Sequence, residues 1–128
     1  MDGSQASNLK HNVTFNDLRE YIEEVDKLGE LRRVQGATWE EDIGMAAELL
    51  LHSETAPCAL FDEIPGYPKG HRVFTNFFGG RRQNITLGFP PDLTKFELSV
   101  AFNKAYQEVV QRPLPYETVE TGPVMENI

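Results

Sequence analysis

The chain has 128 residues, with 12 Lys and Arg against 20 Asp and Glu for a net charge of −8, and 40% of its residues are hydrophobic. That length holds one globular domain with a core of its own and does not comfortably hold two, while the acid excess excludes general phosphate-backbone binding and hence a nucleic-acid partner. A single cysteine, Cys58, excludes an internal disulfide framework; no apolar run reaches the roughly 18 residues of a membrane span, residues 1–10 lack the order of a signal peptide, and the expected location is cytoplasmic.

In chain order, residues 1–13 mix Ser, Gln, Asn and Gly without an apolar period and read as a flexible arm. From Phe15 the apolar residues Phe15, Leu18, Tyr21, Ile22, Val25 and Leu28 recur every three to four positions and predict a helix. Thr14 is the expected N-cap, Val13 and Leu18 the expected staple, and Gly29 the stop. The opposite face carries Asp17, Arg19, Glu20, Glu23, Glu24 and Lys27 and reads as solvated, with Glu23 and Lys27 spaced for an ion pair. Glu30-Leu31-Arg32-Arg33-Val34 alternates weakly, as a charged edge strand does.

Thr38-Trp39-Glu40-Glu41 has the spacing of a capping box and predicts a second helix with Ile43, Ala46, Ala47, Leu50 and Leu51 on its buried side. Pro57-Cys58-Ala59-Leu60-Phe61 reads as a central strand, ended by the turn-rich Pro65-Gly66-Tyr67-Pro68-Lys69-Gly70. His71-Arg72-Val73-Phe74-Thr75-Asn76-Phe77-Phe78 is the next β-like segment, closed by Gly79-Gly80 and followed by a short helix ending at Gly88. Pro90-Pro91-Asp92 opens a last helix to about Arg112, where Pro113 and Pro115 forbid continuation. The order predicts an α+β domain over residues 14–112, a small mixed β-sheet of about three strands covered by helices. Residues 113–128 lack an amphipathic period and read as an extended, Pro-rich C-terminal connector.

Charge is unevenly placed. Residues 35–56 hold five acids and no Lys or Arg, whereas residues 64–91 hold Lys69, Arg72, Arg81 and Arg82 and no acid. Within that basic island, Gly79-Gly80-Arg81-Arg82 before a helix offers open backbone and guanidinium groups to a phosphate or carboxylate, against the alternative that the glycines end the strand and the arginines pair with acids. Asn76, a polar side chain among Phe74, Phe77 and Phe78, must be hydrogen-bonded, and ties a loop or touches a ligand. The three phenylalanines read as core rather than as a stacking platform.

No catalytic set is legible. His11, His52 and His71 lack ligand spacing, and Asp62 and Glu63 point to opposite faces of an extended segment, so no metal site is expected. Glu40, Glu41 and Asp42 read as helix capping. Cys58 lies in an apolar strand without a nearby positive charge in sequence and reads as buried and inert. Asn12-Val13-Thr14 and Asn84-Ile85-Thr86 have the glycosylation pattern without a secretion signal to give it meaning.

Four stretches, in order, resemble the N-terminal region of UbiD-family decarboxylases: Asp17-Leu18-Arg19-Glu20-Tyr21-Ile22 with Leu28-Gly29-Glu30-Leu31-Arg32-Arg33-Val34; Ala59-Leu60-Phe61-Asp62-Glu63-Ile64-Pro65-Gly66-Tyr67-Pro68; Thr75-Asn76-Phe77-Phe78-Gly79-Gly80-Arg81-Arg82; and Gly122-Pro123-Val124-Met125-Glu126-Asn127-Ile128. Gly80 stands where the resemblance leads one to expect Ser. The resemblance implies reversible non-oxidative decarboxylation of aromatic or α,β-unsaturated carboxylic acids by a homo-oligomer using prenylated FMN, manganese and potassium. It also implies that the cofactor ligands and the acid/base set lie in cofactor and C-terminal domains outside this chain. On that reading the chain packs and assembles, and binds no cofactor alone. Two other readings stay open: a stand-alone interaction or regulatory module, and a small flavin- or phosphate-binding protein using the island from Lys69 to Arg82.

Overall fold

The computed structural model describes residue 6, residues 8–53 and residues 55–122. Residues 1–5 and 7 of the expected arm, and the resemblance quoted for residues 123–128, lie outside the described residues. The elements are α1 (Leu18–Lys27), β1 (Leu31–Gln35), α2 (Asp42–Leu51), β2 (Cys58–Asp62), β3 (Val73–Thr75), α3 (Gly80–Thr86) and α4 (Lys95–Gln111). The strands form one mixed sheet in the order β1-β2-β3. β1 runs parallel to β2 with Leu31 opposite Cys58, and β3 runs antiparallel with Phe74 opposite Leu60. This is the small α+β architecture that the residue pattern predicts.

The central position of β2 follows from its composition. Cys58, Ala59, Leu60 and Phe61 are all buried, and alternate side chains leave opposite faces of a strand. Cys58 and Leu60 join Tyr21, Ile22, Val25 and Leu31 under α1, while Ala59 and Phe61 join Ala37, Ile43 and Ile64 under α2. Both faces of the sheet therefore carry a helix. Each fully buried Val, Leu or Phe in these layers is worth about 1.5–3 kcal/mol relative to exposure. A third cluster, Phe89, Leu98 and Ala101, holds the start of α4, with Leu9 packed against it. There His11 meets Phe89 edge-on and the Asn12 N–H donates to the Gly88 carbonyl at 2.8 Å.

Several helix starts differ from the sequence reading, in each case because a better cap lies nearby. α1 begins at Asp17, not Thr14: its carboxylate accepts the N–H groups of Arg19 and Glu20 at 2.8 and 2.9 Å. The proposed staple does not form, since Val13 and Leu18 are exposed. Lys27 pairs with Glu24 at 2.7 Å rather than with Glu23. Before α2 the partner of Thr38 is Asp42, whose Oδ2 accepts the Thr38 N–H and hydroxyl, both at 2.8 Å; Glu41 makes no capping bond. α4 starts after Thr94, not at the prolines, because Thr94 and Glu97 form a reciprocal capping box.

Two helices are only partly covered. On α2 only Ile43 is buried, and Met45, Leu49 and Leu51 stand 57%, 74% and 67% exposed, so Leu51 is not on a buried face as expected. α4 is anchored by Glu97, Leu98 and Ala101 in its first turns, and from Phe102 onward it is open apart from Ala105. Phe102 and Tyr106 stack on each other at 6.4 Å in that open half.

Candidate functional site

The polar centre of the domain gathers where the end of α1, the start of β1, the turn after β3 and α3 meet. Asn76 ends β3 by adopting a left-handed backbone, φ +56°, which Asn tolerates better than most residues. Its Nδ2 donates to the carbonyls of Pro57 and Ala56 at 3.0 and 3.3 Å, tying the turn to the entry of β2. This early end of the strand turns Phe77 and Phe78 outward, each half exposed, so of the three phenylalanines expected as core only Phe74 packs there.

Arg82 lies at the middle of this centre, 3% exposed. Its Nη1 meets Glu30 Oε2 at 2.6 Å, Nη2 donates to the Ala56 carbonyl at 2.9 Å, and Nε donates to the Asn76 carbonyl at 3.2 Å. One planar guanidinium thus links the turn before β1, the loop before β2 and the turn after β3. Glu30 remains partly open to solvent and also takes Arg81 at 3.7 Å. Arg81 is 44% exposed and pairs with Asp92 Oδ1 through Nε and Nη2 at 3.0 and 2.9 Å. Gly79 is the extended N-cap of α3 and Gly80 takes φ +53°, but α3 is only seven residues long.

The buried hydroxyls complete the network. Tyr21 donates to the Phe77 carbonyl at 2.7 Å, and the Thr86 hydroxyl lies 3.1 Å from Tyr21 Oη and 2.8 Å from the Arg82 carbonyl, donating to one or the other. Burial pushes the Tyr21 phenol above its ordinary value of 10.0. Burial likewise raises the Cys58 thiol, which donates to the Glu30 carbonyl at 3.2 Å. That is the state of an unreactive thiol. Asn84, read from the sequence only as part of a glycosylation pattern, is buried and spends its amide on the carbonyls of Pro91 and Leu93.

The structure therefore brings Asn76, Gly79, Arg81 and Arg82 to one place. Lys69 and Arg72 lie apart from it, in exposed positions before β3. Sequence reading missed Glu30 and Tyr21. A buried Tyr needs a partner, a signal that was available; the pairing of Glu30 with Arg82, 52 residues apart, left none. Among the described residues no group of three or more His, Cys, Asp or Glu is placed to hold a metal ion, and no helix is long and apolar enough to cross a membrane. The arrangement binds segments of the chain to one another.

Residues 22–112 match the family described as 3-octaprenyl-4-hydroxybenzoate carboxy-lyase N-terminal domain. No curated protein matches the chain. Among solved structures it is similar to the vanillic acid decarboxylase of Sedimentibacter hydroxybenzoicus in its open form, with 25% identity and a TM-score of 0.59 over 77% of this chain and 20% of that one. A second open form, which carries a truncated subunit, gives 27% identity and a TM-score of 0.57 over 64% and 18%. The chain spans about a fifth of the length of the structures it matches.

Proposed function

Because the chain belongs to the family of 3-octaprenyl-4-hydroxybenzoate carboxy-lyase N-terminal domains, we propose that it serves as the N-terminal domain or subunit of a UbiD-like carboxy-lyase. In that role it packs and assembles the enzyme, and the reaction is carried by other polypeptide. The family match over residues 22–112 carries this reading. The expected reaction is reversible non-oxidative decarboxylation of an aromatic or α,β-unsaturated carboxylic acid, in a cytoplasmic homo-oligomer.

The geometry supports the packing role. Met45, Leu49 and Leu51 on α2, and Phe102, Tyr106, Val109 and Val110 on α4, form exposed apolar faces in a domain whose strongest polar contacts are turned inward. Exposed apolar faces of that kind favour a surface on which another protein element packs.

Prenylated FMN with manganese and potassium belongs to the complete enzyme on this reading. The described residues do not fit that group: the Arg82 guanidinium is engaged by Glu30, Ala56 and Asn76, Arg81 is held by Asp92, and no set of metal-ligating side chains converges. What these residues do is fix the turn after β3 against the sheet.

The test is to recover the native protein with an antibody against this chain, weigh it, and assay it for flavin and for carbon dioxide release from aromatic acids. A flavin-bearing species several times heavier, active where the purified 128-residue chain is inactive, is expected. A native species no larger than the chain, without flavin-bearing polypeptide, overturns the proposal.

A further inference from the structure

A groove of about 480 Å³ runs between the start of α1 and β3. Ile22, Leu60 and Phe74 form its apolar floor, and Arg19, Arg72 and Asp17 stand on its rim. The Asp17 carboxylate is already occupied by the N–H groups of Arg19 and Glu20. Arg19 and Arg72 are exposed, and among the described residues neither joins an ion pair within 4 Å. β3 is an outer strand, paired to β2 on one side only. Its other edge offers backbone donors and acceptors to a further strand.

The chain itself holds a segment with the matching chemistry. Tyr116-Glu117-Thr118-Val119-Glu120-Thr121 lies outside every helix and strand and is exposed throughout, with Tyr116 at 92% and Val119 at 64%. It is rich in β-branched residues, contains no proline, and is acidic where the groove is basic. With side chains alternating across a strand, either face brings one carboxylate and one apolar side chain to the groove: Glu117 with Val119, or Glu120 with Tyr116.

We propose that residues 116–121 of a second copy of this chain add as a strand to the free edge of β3, the one carboxylate on the inward face, Glu117 or Glu120, meeting Arg19 and Arg72. Exchange of the two tails is reciprocal, so the contact closes on a two-fold dimer and does not propagate. This inference is independent of the carboxy-lyase reading, since it concerns only groups within the chain.

Charge reversal tests it. The variant E117K/E120K and the variant R19E/R72E change only exposed side chains, so melting temperatures within about 2 °C of the parent are expected of both. Sedimentation of the parent should show a monomer–dimer equilibrium. Each variant alone should dimerise at least tenfold more weakly, because its tail and groove carry like charge. Mixing the two variants should restore the parent's affinity, since both contacts of the mixed dimer are then complementary. A synthetic peptide of residues 114–122 should compete with the parent dimer. A parent that stays monomeric at all concentrations, a tail that docks within its own copy, or self-association indifferent to these charges each overturns the proposal.

Discussion

Replacing Arg82 with Ala removes a side chain that holds three loops together. The change breaks the 2.6 Å pair to Glu30 and leaves the Ala56 and Asn76 carbonyls without their guanidinium donors. A part-buried acceptor left unmade costs about 1–3 kcal/mol. Breaking a buried ion pair from one side costs about 3–5 kcal/mol in total, because the remaining charge is uncompensated. Ala56 retains Asn76 Nδ2 at 3.3 Å, and Glu30 is partly hydrated and keeps Arg81 at 3.7 Å, so the lower half of that range applies. The expected loss is about 3–4 kcal/mol, or about 10–16 °C in Tm for a domain of this size. Arg81→Ala breaks only exposed pairs and should cost about 0–1 kcal/mol. Urea titration followed by circular dichroism, with the slope m compared between variants, measures both. Arg82→Lys should lose most of the same energy, since an ammonium cannot serve three diverging acceptors at once. Equal losses for Arg81→Ala and Arg82→Ala would refute the assignment of Arg82 as the structural tie.

Other expectations follow from the same network. Tyr21→Phe removes the donor to the Phe77 carbonyl and should cost about 1–2 kcal/mol in the same titration. Because burial raises the Tyr21 phenol, its contribution is fully present below the ordinary value of 10.0 and is lost as pH rises through the folded value, so the parent should weaken in alkali more steeply than Tyr21→Phe. Cys58 should resist an aromatic disulfide reagent at pH 8 in the native protein and react fully once the chain is unfolded, with rapid native labelling counting against the buried, raised thiol. Asn76→Gly keeps the positive φ but loses two hydrogen bonds and should cost about 1–3 kcal/mol, and Asn76→Ala should cost roughly 1 kcal/mol more, both read from thermal unfolding.

What could be read from residues alone was local. The spacing of Tyr21, Ile22 and Val25 made α1 legible, and the unbroken apolar run at Cys58 to Phe61 marked a strand buried on both faces, because a period of 3.6 or 2 is a property of neighbours in sequence. Even the charged edge character of β1 was visible in Arg32 and Arg33. Helix caps were less legible: Thr14, Thr38, Asp42 and Thr94 are all competent, and the choice among them depends on the path by which the chain enters each helix.

The glycine and arginine cluster was visible as a sequence, but its meaning was not. Gly79-Gly80-Arg81-Arg82 fits a strand end with paired arginines better than an anion site when only neighbours are known, but neighbours alone do not separate the two arginines. The fold decided between the two guanidinium groups by burying one and leaving its neighbour at the surface. That decision rests on Glu30, Ala56 and Asn76, which the fold brings within 3.2 Å of Arg82. Composition and period determined which segments are helix and strand and which residues must leave water. Tertiary packing alone determined which polar groups meet, because the energy of a hydrogen bond or ion pair depends on distance and burial, and neither is a property of position in the chain.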